Sequence, residues 1–326
     1  MTNIKKINWG IIGCGDVTET KSGPAFNKVP DSALVAVMRR DAVKAEDYAH
    51  RHNVPKWYSD AAKLINDPEV NAIYVATPPL FHEEYSIAAI NAGKPVYVEK
   101  PMAMNYSQAL NMADLAAEKN IKMVVAHYRR EQPFFKKIKQ LIDEKAIGDI
   151  RVANLTYYRN PFKAEELTGR NLWRVDPAIA GGGIFHDLAP HQLDLMLYLF
   201  GDVEKVHGIA TNQAGLYKAD DMVTGSMLFK NGTVFNGTWC FNCAVYRDHC
   251  EIIGTAGKIS FNVFDNRIIE LTVNGNTSEI VFERLQHVQQ PMIAKTVQYF
   301  LGNAENPGTA ANGAEVMRLI GEMVRK

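Results

Sequence analysis

Ile7-Asn8-Trp9-Gly10-Ile11-Ile12-Gly13-Cys14-Gly15-Asp16-Val17-Thr18 is the stretch that decides the fold of the first half of the chain. Residues 7–12 form an apolar run broken only by Asn8 and Gly10, the pattern of a buried strand. The next six residues read as G-x-G-x-x-G with threonine at the third glycine. Between a strand and a helix, such a loop binds a dinucleotide. Gly13 makes the tight turn, and Gly15 lets a pyrophosphate approach the backbone around Cys14, Asp16 and Val17 at the helix start. The bland alternative is an ordinary strand-to-helix turn.

Outward from that loop, strand and helix alternate. A second buried strand, 33–38, ends at Arg39-Arg40-Asp41. At this position an acidic residue accepts from the ribose 2′-OH of NAD. Here two arginines stand instead, and guanidinium groups fork onto phosphate, so Arg39 and Arg40 point to NADP(H), with NAD(H) as the second choice. Asp41 is placed to cap a helix over 42–52. Ala72–Thr77 is a third strand, closed by Pro78-Pro79; Val96–Val98 a fourth, running into Glu99-Lys100-Pro101; Lys122–Ala126 a fifth, followed by His127-Tyr128. Helices over 83–92 and 105–119 lie between them. This alternation predicts a doubly wound parallel sheet, with ligands beyond the carboxyl ends of its strands. The glycine loop, Arg39, Ala76-Thr77-Pro78, Glu99-Lys100 and Tyr128 all fall there. Lys100 is either a solvated loop charge or a donor to a substrate hydroxyl. A sharp turn at Lys100–Pro101 points to a cis bond.

The second half centres on Gly181-Gly182-Gly183-Ile184-Phe185-His186-Asp187-Leu188-Ala189-Pro190-His191-Gln192-Leu193-Asp194. Asp187 and His191 are four apart and share a helix face, with Asp194 three further on. Pro190 implies that the helix has only just begun. A carboxylate and an imidazole at a helix entrance suit proton transfer; the alternative is a capping Asp187 and a core His191. Residues 159–180 are irregular and hold Trp173-Arg174. Strand 150–158 ends in Tyr158, and short strands follow from Val203 to Glu283, with hairpin turns at Asn231-Gly232 and Asn274-Gly275. This predicts an open-faced, mostly antiparallel sheet domain over 127–326, after a Rossmann domain over 1–126.

Composition narrows the function. Lysine plus arginine and aspartate plus glutamate number 36 each, giving a formal charge of zero, so neither a nucleic acid nor a membrane surface is an expected partner. No apolar run approaches the ~20 residues of a membrane helix, and a cytoplasmic protein is expected. Cys240-Phe241-Asn242-Cys243 lacks a second C-x-x-C, and strand alternation would send its thiols to opposite faces, so no metal is expected.

With these residues in hand, the chain resembles the Gfo/Idh/MocA family of oxidoreductases over nearly its whole length. The likeness rests on Gly10-Ile11-Ile12-Gly13-Cys14-Gly15, Ala76-Thr77-Pro78-Pro79 with His82, Glu99-Lys100-Pro101, Trp173-Arg174, and Gly181-Gly182-Gly183 with Asp187 and His191. The resemblance implies hydride transfer between a nicotinamide cofactor and a sugar, polyol or related compound. Lys100, Asp187 and His191 match the family's catalytic positions and would also bind substrate, with Tyr128 and Tyr158. Gly13 to Val17, Arg39, Arg40, Ala76, Thr77, Pro78, His82, Glu99, Lys100, Trp173 and Arg174 would hold the cofactor. Thr18, His186, Ala189 and Pro190 depart from the family pattern. Competing readings are an NAD-dependent sugar or inositol dehydrogenase, a nucleotide-sensing regulator without turnover, and glycosidic cleavage through a transient keto sugar. A homo-oligomer, dimer or tetramer, is expected through the open sheet face, with Ile252, Ile259 and Phe261 as its apolar alternation.

Overall fold

A computed structural model describes residues 5–168 and 171–325; residues 169 and 170, within the irregular segment, lie outside the described residues. The chain divides into two compact units: Met1–Gln132 with Gln286–Met317, and Pro133–Leu285 with Arg318–Lys326.

The first unit holds a six-stranded parallel sheet in the order β3-β2-β1-β4-β5-β6. Its strands are β1 (Ile7–Ile12), β2 (Ser32–Met38), β3 (Lys56–Tyr58), β4 (Ala72–Val75), β5 (Val96–Val98) and β6 (Met123–Val125). Five match the alternation in the sequence. β3 does not show there: it is three residues at the sheet edge and only partly buried, too short to display a period. Strand order reverses at β1 and β4, the switch point where such sheets bind ligands.

Residues 286–317 return to this unit. Helix Gln290–Leu301 places Met292, Ile293, Val297 and Phe300 in the core of Trp9, Phe26, Tyr74 and Tyr97. Trp9 and Phe300 lie 5.6 Å apart between ring centroids. Lys122 Nζ donates to the carbonyls of Tyr299 and Phe300 at 2.8 and 3.0 Å. An amphipathic helix carries no code for which sheet it covers, so chain order alone leaves this segment with the second half.

The second unit is an eight-stranded sheet in the order β14-β13-β12-β11-β7-β10-β9-β8. Its strands are β7 (Ile150–Tyr158), β8 (Val203–Thr211), β9 (Met222–Phe229), β10 (Val234–Cys240), β11 (Arg247–Gly254), β12 (Gly257–Phe261), β13 (Ile268–Val273) and β14 (Asn276–Val281). All neighbours are antiparallel except β7 and β10, which run parallel. The β13–β14 turn has Asn274 and Gly275 at φ 50° and 82°, the left-handed pair a tight hairpin needs.

One face of this sheet is packed by helices Pro133–Asp143 and Ile184–Phe200. Phe134 and Phe135 meet Phe261, and Phe185 meets Trp239 at 5.1 Å. Ile252, Ile259 and Phe261 belong to this covered face and are almost fully buried. They therefore do not illustrate the open face, which corrects the expectation. The residues opposite one another on the open face form rows instead. Ile253–Val152–Val234–Leu228 is apolar; Glu251–Asn154–Asn236–Ser226 and His249–Thr156–Thr238–Thr224 are polar. Alternation along strands defines two faces, but it cannot say which one the helices cover.

All four cysteines are free thiols. Cys243 lies beyond the end of β10, so strand alternation does not reach it; Cys240 Sγ donates to Asn242 Oδ1 at 2.8 Å. Among the described residues there is no His/Cys/Asp/Glu cluster able to hold a metal, and no helix is long and apolar enough to cross a membrane.

Candidate active site

In the first unit the glycine loop is built by close packing on one side and openness on the other. Gly13 has φ +94°, and a Cβ there would sit 2.8 Å from Thr77 N, so only glycine lets the β1 and β4 loops touch. Gly15 is open: a Cβ added there would meet nothing nearer than Gly13 O at 3.9 Å. Thr18, the substitute for the third glycine, closes on Gly15. Its hydroxyl accepts from Gly15 N–H at 2.9 Å and donates to Gly15 O at 2.8 Å. The Gly15 N–H is thereby occupied within the loop. The following helix, Asp16–Thr20, is only five residues long. Cys14 is buried, which pushes its thiol up to about 11.

Arg39 and Arg40 leave the end of β2 in different directions. Arg39 Nη1 donates to Cys14 O at 3.4 Å, over the glycine loop. The Arg40 guanidinium stacks on Phe81 at 4.6 Å. Asp41 caps helix Ala42–His52 through Lys44 N–H at 3.2 Å and pairs with Lys44 Nζ at 3.1 Å. Its carboxylate is thus committed to the helix.

Beneath the ends of β4 and β5 lies a buried network. Glu99 is 5 % exposed. Its Oε1 accepts from Tyr74 at 2.5 Å and from Gln289 at 2.6 Å; its Oε2 accepts from Lys100 N–H at 3.2 Å. Glu99 therefore fixes the backbone that carries the half-buried Lys100. The Lys100–Pro101 bond is cis, as the sharp turn indicated. His82 is also buried. Its ring nitrogens face Pro101 O at 2.9 Å and Thr77 O at 2.7 Å, so it ties the two loops together from behind. Burial pushes its pKa below the ordinary value, with the two carbonyls pulling the other way. Ala76 N–H bonds to Ile12 O at 2.8 Å, and Pro78 opens the turn Pro79–Phe81. Thr77 Oγ1 is buried with no hydrogen-bond partner among the described residues. Tyr128 is 6 % exposed, with the Arg129 guanidinium 5.6 Å from its ring centroid.

In the second unit each glycine of the triplet has its own reason. Gly181 ends helix Pro177–Ala180 at φ 85°. A Cβ on Gly182 would lie 2.0 Å from His186 Cε1, and one on Gly183, at φ +84°, 2.3 Å from Ala219 Cβ. The turn starts helix Ile184–Phe200. Pro190 sits inside this helix, not at its entrance as the sequence suggested, and has no N–H to offer the His186 carbonyl. His186 is buried, which pushes its pKa down to about 4.

Asp187 Oδ2 pairs with Arg174 Nε at 3.2 Å. That guanidinium also donates to Asn171 Oδ1 at 3.2 Å and stacks on Trp173 at 5.0 Å. His191 is 6 % exposed and meets Phe264 edge-on at 5.8 Å. Phe264 in turn packs on Tyr157 at 5.0 Å. The loop carrying Phe264 is held by buried Asp248, which accepts from the N–H groups of Val263 and Phe264 at 3.1 and 2.6 Å. Tyr157, raised above its ordinary pKa by burial, counts Asp187 among the charges acting on it. Tyr157 therefore shares the helix-covered face with Asp187 and His191, while Tyr158, named from sequence, points to the other face. The missed signal was available only as register: which tyrosine of the pair faces inward depends on which face is covered.

A parallel-sheet unit with a dinucleotide-type loop, joined to a sheet unit carrying an Asp/His helix face, defines a class of two-domain oxidoreductase. Known proteins share both halves. A family model for an oxidoreductase family with an NAD-binding Rossmann fold matches residues 7–127, and one for the GFO/IDH/MocA C-terminal domain matches residues 135–260. The chain belongs to the GFO/IDH/MocA oxidoreductase family. It is 45 % identical over 319 residues to Oxidoreductase P35 of Formosa agariphila, covering 97 % of each chain. It is 27 % identical over 253 residues to 1,5-anhydro-D-fructose reductase of Ensifer adhaerens, covering 77 % of this chain and 74 % of that one. In fold it is similar to levoglucosan dehydrogenase in complex with NADH, with TM-score 0.88, 23 % identity, and 98 % and 96 % of the two chains covered.

Proposed function

We propose that this oxidoreductase prefers NADP(H) and moves a hydride to or from a hydroxyl or keto carbon of a sugar, polyol or related small molecule. The carrying observation is the Asp187/His191 helix face, with Asp187 held in an ion pair, in a family whose nucleotide loop is also present. The open side of Gly15 and the reach of Arg39 over Cys14 fit a dinucleotide carrying an extra phosphate. With Asp41 committed to its helix, the end of β2 offers that carboxylate poorly to ribose hydroxyls. Relatives named for an anhydrofructose and for levoglucosan support the sugar class.

When bound, the nicotinamide supplies the hydride chemistry; the protein supplies positioning and charge. His191 accepts the proton of the substrate hydroxyl during oxidation and returns it during reduction, its reference pKa of ~6.5 suiting it better than a carboxylate. Lys100, on the backbone fixed by Glu99, donates to the same oxygen and favours its alkoxide character. Asp187 orients the imidazole and balances its charge. A cytoplasmic homo-oligomer is part of this reading.

The test is a screen of keto sugars and polyols with NADPH and NADH, measuring kcat/KM for both cofactors. Turnover with a clear NADPH advantage is expected. Equal values for the two cofactors would remove the NADP(H) preference. Tight cofactor binding without turnover on any substrate would favour a nucleotide sensor.

A further inference from the structure

We infer that Thr18 is a positioning residue for the dinucleotide loop: its hydroxyl holds Gly15 in shape before a cofactor arrives. This rests on the dinucleotide reading of the loop, not on the choice between NADP(H) and NAD(H). The third position of G-x-G-x-x-G is ordinarily a glycine that lets helix and strand pack closely. Here a threonine stands there, and it is fully buried. The close approach is made by another glycine. Thr18 O accepts from Tyr48 OH at 2.8 Å, and a Cβ on Gly23 would lie 2.1 Å from that carbonyl. Gly23 therefore supplies the missing Cβ, and position 18 can carry a side chain.

That side chain clasps one residue from both ends. The Thr18 hydroxyl accepts from Gly15 N–H at 2.9 Å and donates to Gly15 O at 2.8 Å. One atom thus fixes the peptide planes before and after Gly15. Gly15 needs such a hold. It is extended, with φ −153° and ψ −155°, and its open side gives it nothing to pack against. Glycine loses more conformational freedom on ordering than any other residue. The helix it opens has five residues, too few to hold its own first turn. The anchor is firm: Tyr48 pins Thr18 O, and the neighbouring Glu19 pairs with Arg51 at 2.8 Å. A loop ordered beforehand relieves the cofactor of ordering it. Fixing the backbone of one residue is worth roughly 5- to 30-fold in an equilibrium constant. A glycine at position 18 would leave that cost to the binding step.

Thr18→Val keeps the shape and removes the hydroxyl; Thr18→Ser keeps the hydroxyl. In fluorescence titrations, Thr18→Val should raise the Kd of NADPH and of NADH alike by roughly 5- to 30-fold. The ratio of the two should hold, because the loop faces the pyrophosphate they share. Thr18→Ser should keep most of the affinity. A lowered Tm with both Kd values intact would make Thr18 merely structural and overturn the inference. Tighter binding by Thr18→Val would overturn it as well, since the hydroxyl would then be competing with pyrophosphate for Gly15 N–H. The unaltered protein gives a second readout that needs no variant to fold and no turnover. Without cofactor, Gly15 N–H should exchange slowly with solvent by NMR; exchange at the rate of an open loop overturns the inference. Failure of the unaltered protein to bind either dinucleotide would count against the proposed function alone, because the exchange result still stands.

Discussion

Gly182→Ala should destabilise the second unit, and removing one nearby side chain should relieve it. Gly182 does not have a left-handed φ, so its backbone can take alanine. The obstacle is the His186 ring: the new methyl would lie 2.0 Å from Cε1 and 2.1 Å from Nδ1. A comfortable carbon contact is about 3.5–4.0 Å, so the ring must retreat by about 1.5 Å. It is 7 % exposed and has little room. Overpacking of this kind costs about 1–3 kcal/mol. At about 2–4 °C per kcal/mol for a unit of this size, Tm should drop by roughly 2–12 °C. His186→Ala removes the obstacle, together with a buried ring nitrogen that has no partner among the described residues. In Gly182→Ala/His186→Ala the methyl enters vacated space, and the double variant should be more stable than the sum of the singles by ~1 kcal/mol or more. Urea and thermal melts of the four proteins measure the cycle. Strict additivity would refute the packing explanation. Turnover should recover with stability in the double variant, because His186 is assigned no part in proton transfer.

Four further outcomes are expected. Arg39→Asp should weaken NADPH by about 10- to 100-fold and improve NADH, read from the two kcat/KM values. His191→Asn should leave cofactor Kd nearly unchanged and lower kcat by ~10²–10⁴-fold; Lys100→Met should cost at least as much and Asp187→Asn less. Full turnover by His191→Asn would remove it as the base. Stability should fall on acidification below about pH 6.5, because the unfolded chain protonates histidines that the fold buries neutral. The His186 contribution levels off below its folded pKa of about 4 and reaches on the order of 3 kcal/mol, so urea midpoints should show a shallower slope in His186→Asn. Light scattering should report a homo-oligomer at micromolar concentration, and Val234→Lys, in the middle of the apolar row on the open face, should weaken it; a monomeric unaltered protein would sink this reading.

Local patterns were enough for the parallel sheet and its loops. The run Ile7–Ile12, the glycines after it, and the repeated strand-then-helix alternation are short-range signals, because backbone geometry and period act over a few residues. The same holds for the capping by Asp41, the turn at Lys100–Pro101, and the four-residue spacing of Asp187 and His191. Other features depended on partners distant in sequence. Helix Gln290–Leu301 joins the first unit because Trp9 and Phe300 complete one core, across nearly the whole chain. Tyr157 rather than Tyr158 stands with His191 because a strand has two faces and only packing chooses which one is covered. Arg174 finds Asp187 across an intervening short helix and a turn in which Gly181 and Gly183 take positive φ. A sequence pattern states which residues can share a surface; the tertiary structure decides which surface is buried, since that depends on apolar area supplied from elsewhere in the chain.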